Sequence, residues 1–281
     1  MGATSRYLRE RFPLVAVSVL ALGTAVFLVG VSTVGPPETL TYVVVALITV
    51  TFVAFLLRQR VADEFKDRGH DDLNYPNRPV QRGAIPARTL IRMGIVAFVV
   101  EVAGVIIIAA VSGRWESILA YLGVVVYSAL TAVEFFAPRW IGRHFTVYFL
   151  SHQVIFVFFA LWCFVVFAPA DTSRFVTGAA AFTLVMAALE IMRKFEIRRD
   201  PRGQVVKDTY VAVWGRSVTV GILAAVFVTS GALMGGTIGL PVAMIGVACA
   251  LGLVVVRNSD RAVQGTTILG FCALGIAGYL T

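Results

Sequence analysis

Residues 63–71 read Asp-Glu-Phe-Lys-Asp-Arg-Gly-His-Asp, which puts carboxylates at Asp63, Asp67 and Asp71, spaced i, i+4, i+8. On a helix that spacing sets all three along one face. Stacked like charges on an exposed helix repel by roughly 0.2–0.5 kcal/mol per pair, so such a row calls for a cation to neutralise it. Carboxylate oxygens are hard donors that suit Mg2+, which keeps several waters and is held by one or two carboxylates together with substrate phosphates. Lys66 lies inside the row and Arg78 follows it in a basic loop. An acidic face meeting such a loop is what a substrate carrying magnesium and diphosphate requires. The competing reading is a solvated loop whose acids balance neighbouring Arg and Lys.

The elements that must position these residues are membrane helices. Hydrophobic residues make up 58% of the 281 positions and charged residues only 14%, too apolar for an ordinary soluble domain. Apolar runs of about 20 residues, the length that spans the hydrocarbon core, fall near 13–34, 39–57, 89–112, 117–137, 146–169, 175–192, 217–236, 238–256 and 264–281. The last part of this pattern rests on splitting one long run, 217–256, at Gly235-Gly236 and Pro241. The expectation is an all-α polytopic bundle of nine transmembrane helices forming a single domain over residues 1–281.

With a cytoplasmic N-terminus, 22 of the 24 Lys and Arg residues fall on the inner side, leaving Arg114 and Arg174 outside. The net charge of +8 then reflects basic cytoplasmic loops and not nucleic-acid binding. Arg6, Arg9 and Arg11 precede the first run, but no small-residue cleavage site follows it, so that run is expected to stay as a span. Cys163, Cys249 and Cys272 each sit inside an apolar run and read as buried structural thiols. Two inner connections, from Arg58 to Arg88 and from Arg193 to Arg216, carry acids as well as bases and so hold the chemistry.

Glu101, Glu134 and His152 are ionisable residues within the runs. Intramembrane ionisable groups are costly and functional by default. Glu101, near the middle of the third run, needs a partner inside the bundle or a proton. Glu134, near the inner end of the fourth, either reaches the interface beside Arg139 or lines a polar niche. His152 lies one to two turns inside the fifth, where it either packs or takes a proton. The same run carries Phe156, Phe158, Phe159, Trp162 and Phe164, packing residues for the most part, of which one or two could offer a ring face to a cation.

After Asp71 the chain continues Asn74-Tyr75-Pro76-Asn77-Arg78-Pro79-Val80-Gln81-Arg82-Gly83. Here the sequence resembles the UbiA superfamily of intramembrane prenyltransferases. That family's first signature is an Asn/Asp-x-x-x-Asp-x-x-x-Asp helix end, then a loop closing on Arg-Pro-Leu-x-Ser-Gly or similar. Asp63, Asp67 and Asp71 occupy its acid positions, and Arg78 to Gly83 its loop ending; Asp63 stands where Asn is more usual. The second signature, after the sixth span, is another Asp-rich stretch leading to a Gly-containing segment. The chain offers Glu190, Arg193, Lys194, Glu196, Asp200, Gly203, Asp208, Tyr210 and Gly215. Glu190 stands for the first acid, but Lys194 falls where the next carboxylate would sit, a pattern similar to a divergent bacterial branch.

What the resemblance implies is an integral-membrane enzyme that ionises an isoprenyl diphosphate with Mg2+ and transfers the prenyl group to an acceptor. Asp63, Asp67, Asp71, Glu190 and Lys194 would form the catalytic set. Lys66, Arg78, Arg193, Lys194, Lys207 and Tyr210 would contact the diphosphate. Metal ligands would be Asp63, Asp67 and Asp71, with Glu196 and Asp200 as an i, i+4 pair for a second ion; otherwise Arg193 and Lys194 would meet the diphosphate directly. Glu134 and His152 would border the acceptor, whether an aromatic ring, a sugar phosphate or a haem-like macrocycle. The implied location is the cell membrane, with lipid around the bundle and the site facing the cytoplasm. Two rival readings are a UbiA-type terpene cyclase, in which an internal alkene captures the cation, and a membrane transporter. Against the transporter, the charges gather at one face and not at the midplane.

Overall fold

A computed structural model describes residues 2–32 and 39–234. The expected eighth and ninth spans, the split at Gly235-Gly236 and Pro241, and Cys249 and Cys272 lie outside these residues. Among the described residues, regular structure is helical apart from one isolated bridge between Arg199 and Val205. In chain order the helices are α1 (Ala3–Arg11), α2 (Leu14–Ser32), α3 (Thr39–Lys66), α4 (Arg68–Asn74), α5 (Ala87–Ser112), α6 (Glu116–Ala132), α7 (Pro138–Arg143), α8 (Phe145–Phe167), α9 (Thr172–Arg193), α10 (Tyr210–Trp214) and α11 (Arg216–Met234). Six of them, α2, α3, α5, α8, α9 and α11, are long and apolar enough to cross a membrane, and α6 is an apolar helix of 17 residues at the lower limit for a span. The chain is a multi-pass membrane protein.

Neighbouring contacts run α2–α3–α5–α6–α8–α9 and back to α2, a closed ring, with α11 packed on α9. In lipid there is no hydrophobic drive between helices, so close backbone approach decides which faces meet. Gly178 on α9 supplies one such approach, because a Cβ there would lie 2.7 Å from Val31 Cγ1 of α2. Gly104 on α5 supplies another, against Thr51 of α3. Side chains facing away from the ring, such as Val96 and Val99 on α5 and Leu119 and Leu122 on α6, are apolar and exposed, as a lipid-facing surface requires. Inside, Phe52, Phe55, Tyr121, Phe159 and Trp162 form a buried aromatic cluster, with Phe52 to Phe159 at 4.7 Å and Tyr121 to Trp162 at 4.9 Å between centroids. Cys163 is buried beside them, as its apolar setting suggests.

The second expected span, 39–57, is too short by more than two turns. Helix α3 continues to Lys66, which carries Arg58, Arg60, Asp63 and Glu64 on helical backbone. Arg58 is thereby aimed inward, and it answers the question of Glu101. Its Nε and Nη2 donate to the two oxygens of the fully buried Glu101 at 2.7 and 2.9 Å, and the Tyr121 hydroxyl donates to the same carboxylate at 2.8 Å. Arg58 Nη1 also donates to Ser128 at 3.0 Å, so one guanidinium ties α3 to α5 and α6. On another face of α3, buried Glu64 accepts from Arg11 at 3.0 Å, Arg60 at 2.5 Å and Tyr7 at 3.3 Å. Burial, followed by the Glu64 charge, pushes the Tyr7 hydroxyl up to about 12. These bonds fasten α1 across the inner end of α3.

Candidate functional site

Helices α3 and α4 are separated only by Asp67, whose backbone departs from helical geometry (φ −87°, ψ 4°), and two i→i−4 bonds bridge the junction. Asp67 N–H donates to the Asp63 carbonyl at 2.9 Å and Asp71 N–H to the Asp67 carbonyl at 2.8 Å. Asp63, Asp67 and Asp71 therefore keep the one-face relation that their spacing asks for. Their surroundings differ. Asp63 is partly exposed, 3.6 Å from Lys66 Nζ. Asp67 is raised above the usual carboxylate range by burial and by Asp63 and Asp71, with Lys66 and Lys194 pulling the other way. Asp71 is buried and bonded by Arg78 and His70; burial alone would raise it, but those bonds hold it below the ordinary value. In return, the bond to Asp71 raises the His70 imidazole against the effect of its burial.

Asp71 and Arg78 are thus committed to shaping the loop. The Arg78 guanidinium lies 3.8 Å from the Tyr75 ring centroid, and the Tyr75 hydroxyl donates to Asp208 Oδ2 at 2.6 Å. Arg198 reaches the same carboxylate at 3.8 Å. Burial and the bond to Asp208 raise the Tyr75 hydroxyl well above its normal value, so it stays a donor. Through Tyr75 and Asp208 the two charged connections, more than a hundred residues apart in sequence, are pinned to each other.

The second connection is built on the end of α9. Glu190 accepts from Arg193 Nε at 2.8 Å and Nη2 at 2.9 Å, from Lys194 Nζ at 3.2 Å, and from the Tyr210 hydroxyl at 3.5 Å. Tyr210 is buried, and burial followed by the Glu190 charge raises its hydroxyl. Lys194 is the C-cap of α9, after which buried Phe195 turns the chain away from the helix axis. Glu196 and Asp200 consequently do not form the expected i, i+4 pair, because the helix has ended at Arg193. Glu196 pairs with Arg198 at 2.5 Å, and Asp200 accepts from the backbone N–H groups of Arg202 and Gln204 at 2.9 and 2.8 Å inside its own turn. Lys207 is exposed on the strand of loop that follows.

The two halves meet at Tyr148 of α8. Lys66 Nζ lies 3.5 Å from its hydroxyl and 5.3 Å from its ring centroid, and Lys194 Nζ lies 5.9 Å from the same centroid. His152, one turn further along α8, stacks on Tyr148 at 4.1 Å. Its Nδ1 donates to the Tyr148 carbonyl at 2.8 Å, which leaves Nε2 of the neutral ring as the lone-pair nitrogen. That Nε2 is buried and has no hydrogen-bond partner among the described residues. Glu134 does not end a helix as expected: α6 stops at Ala132, and Glu134, Phe135 and Phe136 form a short turn with φ of 49°, 53° and 60°. Non-glycine residues in the left-handed region are uncommon and costly, and three in succession more so. The turn sets Phe135 edge-on to His152 at 6.5 Å and brings the Glu134 charge within reach of Lys66.

Among the described residues no three His, Cys, Asp or Glu side chains converge as a ready-made metal cluster. Among the expected ligands, those with no arginine or backbone partner are Asp63 and Asp67, two hard carboxylates of which the second is half-buried between like charges. That set fits Mg2+, an ion that takes one or two carboxylates and fills its octahedron with water and phosphate oxygens. Both oxygens of Asp71 and of Glu190 already meet protein donors, while Glu196 and Asp200 are each held on one oxygen, by Arg198 and by backbone N–H groups. The aromatic Tyr148 and the Tyr75–Asp208 link were not singled out from sequence. The first lies i−4 from His152, a spacing that places both on one face, and the second sits inside the motif that carries Arg78.

No protein-family model matches the sequence, and no curated protein matches it either. Two solved structures are similar in fold. One is a UbiA homolog from Aeropyrum pernix K1, with a TM-score of 0.63, 13% identity, and coverage of 93% of this chain and 96% of that one. The other is digeranylgeranylglyceryl phosphate synthase, with a TM-score of 0.54, 13% identity and full coverage of both chains. The chain therefore has the UbiA fold, as its two motifs suggest.

Proposed function

We propose that the protein is an intramembrane prenyltransferase that ionises an isoprenyl diphosphate and passes the prenyl group to an acceptor. One observation carries this reading: Asp63 and Asp67 from the first connection and Lys66 and Lys194, one from each connection, gather around a single tyrosine at one end of the bundle. A neighbouring pair of carboxylates and a pair of ammonium groups are complementary to a magnesium diphosphate. Bound at Asp63 and Asp67, Mg2+ would supply positive charge to the diphosphate oxygens. Lys66 and Lys194 donate to the same oxygens as the allylic C–O bond breaks and its electron pair leaves with the diphosphate. The acceptor then forms the new bond to the allylic carbon and loses a proton, for which the bare Nε2 of His152 would serve as the base. Tyr148, His152 and the residues one turn further in lead from the charged end towards the aromatic cluster, an apolar setting that keeps water from the cation.

The site and the N-terminus face the cytoplasm in this reading, because 22 of 24 basic residues then lie on the inner side. Pyrophosphate release by the purified protein, offered geranyl, farnesyl and geranylgeranyl diphosphates with and without Mg2+, tests the proposal. Release that requires Mg2+ and falls at least 100-fold in Asp67→Ala is the expected result, and no release from any donor, with or without a panel of acceptors, counts against it. The buried cluster of Phe52, Phe55, Tyr121, Phe159 and Trp162 favours a second reading, terpene cyclisation, since ring faces stabilise a cation. Cyclic hydrocarbon formed without any acceptor selects it.

A further inference from the structure

The charges of the two half-sites have opposite signs. Asp63, Asp67 and Lys66 leave one net negative charge, while Asp71 is balanced by Arg78. Glu190, Arg193 and Lys194 leave one net positive charge. A divalent cation is drawn to the first half and repelled by the second. Both oxygens of Glu190 are also taken, Oε2 by Arg193 Nε at 2.8 Å and Oε1 by Arg193 Nη2 at 2.9 Å and Lys194 Nζ at 3.2 Å. A metal would have to displace two cations to reach that carboxylate. Glu196 and Asp200 offer no replacement, being held by Arg198 and by a turn.

Lys194 is not used up by Glu190. An ammonium group has three donors, and the contact to Oε1 accounts for one. Arg193 spends two donors on Glu190 and its side chain is 55% exposed, whereas that of Lys194 is 17% exposed and that of Lys66 is 10% exposed. The two lysines lie within 6 Å of the same tyrosine ring and both act on Asp67, although they come from the two separate connections. Together they carry the charge of one divalent ion, as compact point charges with rotatable donors.

Resting on the prenyl diphosphate reading above, we propose that the site works with one divalent cation, held by Asp63 and Asp67, and that the Lys194 ammonium, with Lys66, binds the diphosphate in place of a second one. The second half-site is then metal-free by construction, and the departure at Lys194 is a substitution of a fixed cation for an exchangeable one.

Mn2+ in place of Mg2+ makes this countable. The full-length protein in detergent is titrated with Mn2+ at saturating inorganic pyrophosphate, and free Mn2+ is followed by electron paramagnetic resonance. Pyrophosphate affinity is measured separately by calorimetry. One Mn2+ per chain is expected. Lys194→Gln, which keeps a donor for Glu190, leaves the count at one and weakens pyrophosphate binding about 10- to 100-fold, the value of a charge-assisted bond. The double variant Glu190→Gln/Lys194→Met, which leaves only the solvent-exposed Arg193 without its carboxylate, serves the same purpose should the single one unfold, with the same expected result. Two Mn2+ per wild-type chain overturns the inference and leaves the prenyl diphosphate reading standing. So does unchanged pyrophosphate affinity in a folded Lys194 variant. Absence of any pyrophosphate-dependent Mn2+ uptake by the wild type overturns the reading itself, and the inference with it.

Discussion

The Tyr148 ring has Lys66 at 5.3 Å and Lys194 at 5.9 Å from its centroid, and a cation near an aromatic face gains about 0.5–2 kcal/mol depending on how far it is desolvated. Two ammonium groups gathered at one ring repel each other, so the ring offsets part of the cost of assembling them before an anion arrives. Pre-assembly of this kind raises affinity by reducing what binding must still order. The ring and the hydroxyl separate cleanly by substitution. Tyr148→Phe keeps the ring and is expected to hold pyrophosphate within about threefold of the wild type, whereas Tyr148→Leu loses both cation contacts and is expected to weaken it about tenfold. Equal losses in the two variants would assign the effect to the hydroxyl, 3.5 Å from Lys66 Nζ, and not to the ring.

At the scale of elements, the bond from Arg58 to Glu101 and the contact at Gly178 hold the ring of helices closed. Glu101 is fully buried, and removing one partner of a buried pair costs roughly 3–5 kcal/mol because the other charge stays behind. Glu101→Ala is therefore expected to lower the thermal midpoint in detergent sharply, and Arg58→Met/Glu101→Leu to recover most of the loss. Gly178→Ala puts a Cβ 2.7 Å from Val31 Cγ1 and 2.9 Å from Val31 Cβ, and a β-branched side chain has no free rotamer to swing into. Overpacking of this kind costs roughly 1–3 kcal/mol, and pairing the change with Val31→Ala should restore the midpoint. The sequence demanded a partner for Glu101 but could not supply it, because hydropathy marks a span as finished at its first charge. Arg58 reads as the start of a loop, while the backbone ladder carries the helix on to Lys66 and turns that same arginine into the bundle.

For the whole molecule, apolar runs were enough to give an all-helical membrane bundle, and seven of them coincide with α2, α3, α5, α6, α8, α9 and α11. Spacing was enough to put Asp63, Asp67 and Asp71 on one face, since i, i+4 geometry is local. The pairing of Tyr75 with Asp208, and of both lysines with Tyr148, is set by which helices adjoin in space, and no local spacing encodes it. Those contacts carry a consequence for topology. Because the connections after α3 and α9 touch, they lie on the same side of the membrane, and the proposal that this side is the cytoplasm rests on the basic residues concentrated in them. The turns that lead into α6 and α9 then face outward, and Glu116 and Thr172, which open those helices, are exposed. In a chain whose three native cysteines are replaced by alanine, Glu116→Cys and Thr172→Cys are expected to react with a membrane-impermeant maleimide on intact cells. Arg202→Cys, exposed in the hairpin after α9, should react only after permeabilisation. The reverse pattern would place the diphosphate site outside the cell, away from any cytoplasmic supply of donor, and a pattern with Glu116 and Thr172 on opposite sides would contradict the order of helices around the ring.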